Sequence, residues 1–502
     1  MAATIFAEEA LHTEGTAVLL AIDDHCIPWA RSIYLEMNRP VKCPENPIVP
    51  RGLDGACDGW RAGAPAVVRN GSSWRMWYVA RPQMHGNHAI HIGYAESGDG
   101  LTWDKPELGL VELNGSHANN LVAAAPGLNT CSVLLDEDAP PERRYVMIGE
   151  DMTDFERWGH DVPSITRIDV SADGLRWRKL TDSTTFAQIF EPATIYKFKG
   201  RYHIGGHQNG DVLRLPMQAQ DLGHYLGPRT FVVSRSPTLD AWPTELVHAY
   251  HKPMQSSSPY RQGWDREEVH LGAGVTPYNN VCVGVYGQWH HPINDGDPVY
   301  DREQPSVDLG LVISSDGLHF REPAPGFTWI ARDQELAWGR GWQGNTTADN
   351  LLLCQGSLVN TEDETLIYYS ASSPGGNVHE VSSNIGMARL PRDRFGYLRL
   401  MSSAETGWCS TCPLQVGRGA SVSINAVVPV GSRLRLSVLD EDGLEELPGY
   451  GVEDSCSIAT SGLERPVTWG ELDELPPDRK LRLRVQMEGD VELYAIYLHA
   501  AG

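Results

Sequence analysis

The chain has 502 residues, 41% of them hydrophobic, with 50 Gly, 33 Pro and 15 Trp. That composition suits a turn-rich all-β protein of two or three domains and excludes a disordered or long-helical one. A formal net charge of −24 argues against nucleic-acid backbones and anionic membrane surfaces as partners, and fits a neutral or small ligand.

In chain order, residues 1–45 read as an N-terminal strand or hairpin. Its apolar run Thr16-Ala17-Val18-Leu19-Leu20-Ala21-Ile22 is followed at once by Asp23-Asp24 and preceded by Glu8, Glu9 and Glu14. So short a run without a basic flank predicts a strand, not a signal peptide or membrane span, and a cytoplasmic location is expected. The segment ends in turn chemistry at Arg39-Pro40 and Cys43-Pro44. Nine scattered cysteines, an odd number, predict reduced thiols. Cys409-Ser410-Thr411-Cys412 is a lone pair without further ligand spacing, so neither a metal site nor a cofactor is expected.

Residues 46–400 repeat one pattern five times: an apolar strand, a short turn, an aromatic-ended strand, then a strand closing in a turn. The first strands begin near Ala64, Asn129, Glu191, Val275 and Gly356, and their partners end at Trp77-Tyr78, Tyr145, Tyr202, Tyr286 and Tyr368-Tyr369. Such a unit cannot bury both faces alone, which predicts a five-bladed β-propeller with the starts of its innermost strands around one funnel. Four units close alike, at Ser97-Gly98-Asp99-Gly100-Leu101-Thr102-Trp103, Ser171 to Trp177, Ser236 to Trp242, and Ser314 to Phe320. These turns read as structural: Ser and Asp accept local N–H groups, Gly takes positive φ, and the aromatic ring packs between blades. Residues 401–502 alternate with period two, as in Leu434-Arg435-Leu436-Ser437-Val438-Leu439, and predict a β-sandwich that is structural or an oligomer contact.

Chemistry is therefore sought at the heads of the innermost strands. Cleaving a glycosidic bond needs one carboxyl to protonate the leaving oxygen and a second to attack or to activate water. Glu191 opens the third repeat before Pro192, and Asp58 lies just upstream of the first strand, with Asp54 its understudy. A solvated or turn-capping carboxylate is the alternative for each. Polar and aromatic residues near the strand ends would line a sugar site: Trp60 and Arg61, His85, His207, Trp289-His290 and His379.

Glu191-Pro192-Ala193-Thr194-Ile195-Tyr196-Lys197-Phe198-Lys199-Gly200-Arg201-Tyr202 resembles the general-acid strand of glycoside hydrolase family 43 and its relatives. Tyr94 to Glu112, with Asn119-Asn120, is similar to bacterial proteins described as family-32-like hydrolases, as is the C-terminal stretch with Leu439 to Gly443 and Pro448-Gly449-Tyr450. The resemblance implies a superfamily of five-bladed propeller enzymes (families 32, 43, 68, 117 and, more distantly, 130). In it Asp58 would be nucleophile or base, Glu191 the general acid, and an Asp opening the second blade would orient that acid. Thr130 stands where that Asp should, so Asp151 or Glu268 is the expected substitute. The resulting expectation is a hydrolase acting from the chain end of a short oligosaccharide or glycoside, with a fructofuranoside or arabinofuranoside preferred. A phosphorylase or glycosyl-transferring relative and a non-catalytic carbohydrate-binding propeller remain as alternatives.

Overall fold

The computed structural model describes residues 11–12, 16–83, 90–151, 165–180, 184–185, 191–209, 229–243, 245–251, 268–290, 306–340, 346–349, 351–353, 358–372, 382–403, 405–416 and 419–500. Among them the secondary structure is β-strand apart from one helical turn, Pro141–Arg143.

Five antiparallel strand groups follow one another. The first is Arg61–Asn70, Ser73–Arg81 and His91–Ser97. The second is Ser132–Leu135, Tyr145–Glu150, Ile165–Ser171 and Arg178–Lys179. The third is Glu191–Phe198, Arg201–Asn209, Arg229–Ser236 and Val247–Tyr250. Glu268–Tyr278, Val281–His290 and Ser306–Ser314 form the fourth, and Leu358–Asn360, Glu364–Ser372 and Ser383–Pro391 the fifth. The first strands touch in order around a ring, and the fifth touches the first. Val41–Lys42 adds an outer strand to the fifth group, pairing with Arg389 and Ala388.

The repeated turns explain how neighbouring groups are joined. In three of them the Asp carboxylate accepts two backbone N–H groups, as Asp99 does from Leu101 and Thr102, both at 2.8 Å, whereas Asp240 of the Ser236–Trp242 turn pairs with Arg143. The glycine adopts a φ of 78° at Gly100, 75° at Gly174 and 72° at Gly317. Its carbonyl then receives a buried aromatic donor of the preceding group: Trp77 Nε1 donates to Gly174 O at 2.7 Å, Tyr196 Oη to Gly317 O at 2.6 Å, and Tyr368 Oη to Gly100 O at 2.8 Å. The last of these joins the fifth group back to the first. Rings fill the same seams, with Trp77 set against Tyr94, Tyr145 and Trp177.

Beyond residue 400, Thr406–Ser410, Leu414–Val416, Arg433–Leu439 and Arg479–Glu488 pair in one set of strands, and Ala420–Val427, Gly462–Val467 and Glu492–Ala500 in another. One apolar core lies between them. The N-terminal strands are part of this unit and do not form a hairpin of their own. Thr16–Leu20 pairs with Glu492–Ala500, Trp29–Arg31 with Thr406–Ser410, and Ile33–Met37 with Gly396–Leu400. The reason is legible in the burial. Ala17 and Leu19 enter the C-terminal core, while Val18, Leu20 and Ile22 pack on Val281, Val283, Ile313 and Tyr497. A strand buried on both faces reads as a continuous apolar run.

Candidate active site

Three first strands are bent near their heads. Register shifts fall between Gly63 and Ala66, between Pro192 and Thr194, and between His270 and Ala273. Ala64 and Leu271 adopt positive φ, 50° and 58°, which side-chain-bearing residues rarely do. A bulge of this kind re-aims the residues ahead of it, and such strain clusters at functional sites. Ahead of the three bulges stand Arg61, Glu191 and Glu268. Within the third group a Cβ at Gly206 would meet the Glu191 carbonyl, and the fourth group approaches closely here, since a Cβ at Gly272 would lie 2.8 Å from the Gly206 carbonyl carbon.

Glu191 is the Cα partner of His207, and its Oε2 lies 3.4 Å from His207 Nε2. The glutamate side chain keeps 24% of its surface exposed, the histidine 6%. The His207 ring stacks on His270 at 6.1 Å, and His270 leans on buried Trp289 at 4.4 Å. A carboxyl, two imidazoles and an indole thus run from the third group into the fourth. Glu268 is the Cα partner of Trp289, and His290 that of Ser306.

Across the ring, Arg61 and Arg81 are Cα partners at the head of the first group. Burial, then the neighbouring charge of Arg81, pushes the Arg61 guanidinium down to about 9, while Glu191 acts in the opposite sense. It therefore stays charged at neutral pH. Burial lowers Arg81 as well. Arg81 donates to Asn129 Oδ1 at 2.8 Å, and Asn129 Nδ2 in turn reaches Glu150 Oε2 at 3.4 Å.

Thr130 has a definite task in this place. Its hydroxyl donates to Pro192 O at 2.7 Å and accepts from Glu150 N at 3.1 Å, so it ties the second group to the strand that carries Glu191. An ionised Asp could not donate that first bond.

Asp58 stands just ahead of the Arg61–Asn70 strand. Its oxygens accept from Gly52 N at 3.1 Å, Tyr78 Oη at 2.9 Å and Lys105 Nζ at 2.6 Å, and its side chain is 3% exposed. Tyr78 packs with Tyr368, Ile385 and Met387 in the seam between the first and fifth groups. The Asp58 carboxylate is thus occupied by three donors, one of them the tyrosine of this seam. In the first group the residue before the strand proline is buried Ala64, where the third has Glu191.

Asp151 also serves a buried ion cluster. It lies 3.6 Å from Arg167, which is 3.2 Å from Asp169 and donates to Ala125 O at 2.6 Å. Trp60 is buried, its backbone N–H bonded to Arg81 O at 2.8 Å. His85 and His379 lie outside the described residues, as do the side chains of Glu268 and His290. Arg81, Asn129 and His270 were missed in the sequence. Counting back from the Asn70–Ser73 turn pairs Arg61 with Pro82, and only the bulge between Gly63 and Ala66 shifts the register to make Arg81 its mate.

No family model and no curated protein matches the chain. It is similar to the solved structure of a glycosyl hydrolase from Bacteroides ovatus, at 15% identity over 71% of this chain and 94% of that one, with a TM-score of 0.43. It is also similar to a thermostable family-43 glycoside hydrolase, at 14% identity over 68% and 91%, TM-score 0.42. A third similar structure concerns the GH130 family of mannoside phosphorylases and its glycoside hydrolases that target β-1,2 mannosidic linkages, at 14% identity over 71% and 95%, TM-score 0.42. At these values the chemistry has to be argued from this chain's own residues.

Proposed function

We propose that the five strand groups are the blades of a propeller, that 401–502 with the N-terminal strands is a sandwich fastened to it, and that the propeller's mouth cleaves a glycosidic bond. Glu191 is the proton donor. The observation that carries this is its position: a partly exposed carboxyl at the head of an innermost strand, 3.4 Å from His207 and held from behind by Thr130 on Pro192 O. A general acid needs access to the leaving oxygen and a neighbour able to pass or hold a proton, and this glutamate has both.

The second carboxylate in this reading is Glu268, which heads the adjoining innermost strand ahead of its own bulge. It acts by direct attack or through water. His270 and Arg61 would then face the sugar, with buried Trp289 behind His270. Asp58 is assigned to the seam and not to catalysis. A short, chain-end furanoside remains the preferred substrate class from the sequence resemblance, and a cytoplasmic setting the preferred location.

The test is a panel of aryl furanosides and pyranosides assayed with Glu191→Gln and Glu268→Gln. Each substitution is expected to lower kcat by about 100-fold or more with an unchanged melting temperature, the scale of a positioned acid or base. An aryl substrate with a good leaving group should partly restore Glu191→Gln but not Glu268→Gln. Near-normal turnover in Glu191→Gln would end the assignment.

A further inference from the structure

Arg61 and Arg81 present a charge balance that the proposed acid does not complete. Two guanidiniums sit side by side as register partners at one end of the first group. Arg81 donates only to a neutral amide oxygen, that of Asn129. Arg61 Nε is buried with no hydrogen-bond partner among the described residues, and the carboxylate that acts on its guanidinium, Glu191, is shared with His207. No described carboxylate lies within 4.0 Å of either guanidinium, whereas Arg167 has Asp151 and Asp169, and Arg321 has Asp23 and Asp24. Glu191 and, one amide removed from Arg81, Glu150 stand nearby, and among the described residues neither forms an ion pair with either guanidinium. An uncompensated buried cation is costly, so it is kept where a ligand supplies the counter-charge.

We propose that Arg61 and Arg81 form an oxyanion subsite beside Glu191, taking a carboxylate or phosphate group of the molecule on which the enzyme acts. The planar guanidinium fork matches both groups in two-point geometry, which an ammonium would not do. The shared chemistry has two sources: a uronate carboxylate on the sugar itself, or inorganic phosphate bound beside a neutral sugar as the accepting nucleophile. In the second case phosphate oxygen forms the bond to the anomeric carbon as the glycosidic oxygen leaves with the proton from Glu191, and the products are a sugar phosphate and the free alcohol. This inference rests on the reading of Glu191 as the site's acid only for the chemical step after binding; the subsite itself can be measured without turnover.

The experiment is calorimetric titration of the full chain with methyl glucuronide, methyl galacturonide, inorganic phosphate and the neutral methyl glucoside, at low and high salt. At least one anion is expected to bind ten times or more tighter than the neutral glycoside, with affinity falling as salt rises. Arg61→Gln and Arg81→Gln should each lose at least tenfold of that affinity, while Arg61→Lys should recover only part. Glu191→Gln removes the competing carboxylate and should tighten the anion several-fold, a sign that a merely structural arginine pair would not give. Uronate binding without phosphate binding assigns the charge to the sugar, and the converse assigns it to the acceptor. Anions that bind no better than the neutral glycoside, or an affinity that Glu191→Gln leaves unchanged, would overturn the subsite even if Arg61→Gln fails to fold. Tight anion binding without turnover of any glycoside would instead sink the catalytic reading and leave the subsite standing.

Discussion

Lys105 Nζ lies 2.6 Å from Asp58 Oδ2 and also donates to Pro50 O at 2.6 Å, so one ammonium stitches the approach to the first strand onto the outer part of the first group. Asn120 Nδ2 donates to Tyr78 Oη at 2.7 Å, and Tyr78 in turn donates its hydroxyl proton to Asp58. Removing the carboxylate charge leaves a half-buried cation and a buried phenol without their acceptor. Asp58→Asn should therefore destabilise the protein by about 1–3 kcal/mol, the usual cost of orphaning buried donors. Denaturant midpoints measure this, and a thermodynamic cycle with Lys105→Met should show strong coupling between the two positions. Turnover per folded molecule should stay within twofold. A large fall in kcat with an unchanged midpoint would return Asp58 to the active site.

Thr130 makes two hydrogen bonds with one hydroxyl, a buried one to Pro192 O and a part-buried one from Glu150 N. Thr130→Val keeps the shape and removes both, taking from the buried Pro192 carbonyl its hydroxyl donor. A loss of about 1–3 kcal/mol is expected. Because the carbonyl belongs to the residue after Glu191, kcat should fall more than KM rises. Thr130→Asp places a carboxylate against the Pro192 carbonyl and should be worse than Val on both measures. A gain of activity in Thr130→Asp would show that an acid is wanted there.

Much of this fold was readable from the chain because its signals are local. The Ser-x-Asp-Gly turns announce their own hydrogen bonds, and the aromatic-ended second strands supply Trp77 and Tyr368 to the seams, where Tyr196 comes from the first strand of its group. Placement of the N-terminal run was not readable, because Val18 and Ala17 serve two different cores that only the tertiary structure brings to one strand. The separate settings of the cysteine pair were not readable either: Cys409 is buried in the C-terminal core, while the thiol of Cys412 is hydrogen-bonded to that of Cys26. Glu191 could be found as an acid before a proline at a strand head. Asp58 lacks that cue, since it lies before the strand begins and Ala64 precedes the strand's Pro65, and two of its donors, Tyr78 and Lys105, stand 20 and 47 positions further on.

Acid should loosen the repeated turns first. Burial alone would raise the Asp316 carboxyl, but His319 and the backbone N–H groups of His319 and Leu318 outweigh it and bring the group down to about 2. Asp99 is likewise lowered, chiefly by the N–H of Thr102. A carboxyl depressed in the folded state stabilises it above the unfolded value of 3.8, and that contribution is lost as pH falls toward 2. Chemical denaturation between pH 5 and pH 2 should show stability declining over this window. Asp316→Asn should flatten the decline while lowering stability at neutral pH, and an unchanged slope would show that the turn acids do not govern it.

Asn280 fastens the N-terminal strand to the fourth group. Its Oδ1 accepts from Val18 N at 2.8 Å and its Nδ2 donates to Val18 O at 2.9 Å, both buried. This amide completes the outer edge of Thr16–Leu20, whose other edge pairs with Glu492–Ala500. Asn280→Ala leaves both Val18 backbone groups without a partner in an apolar seam, a loss of about 2–4 kcal/mol for two buried groups. Asn280→Asp keeps the acceptor but turns the donor into a carboxylate oxygen facing Val18 O, so it should be at least as harmful at neutral pH and recover as that carboxyl is protonated. Because the strand lies between the C-terminal core and the fourth and fifth groups, the substitution should also make the two regions unfold separately. Calorimetry would then resolve two transitions where the parent protein gives one. A single transition at the parent temperature in Asn280→Ala would mean that packing of Val18, Leu20 and Ile22 suffices and that the amide contributes nothing to the joint.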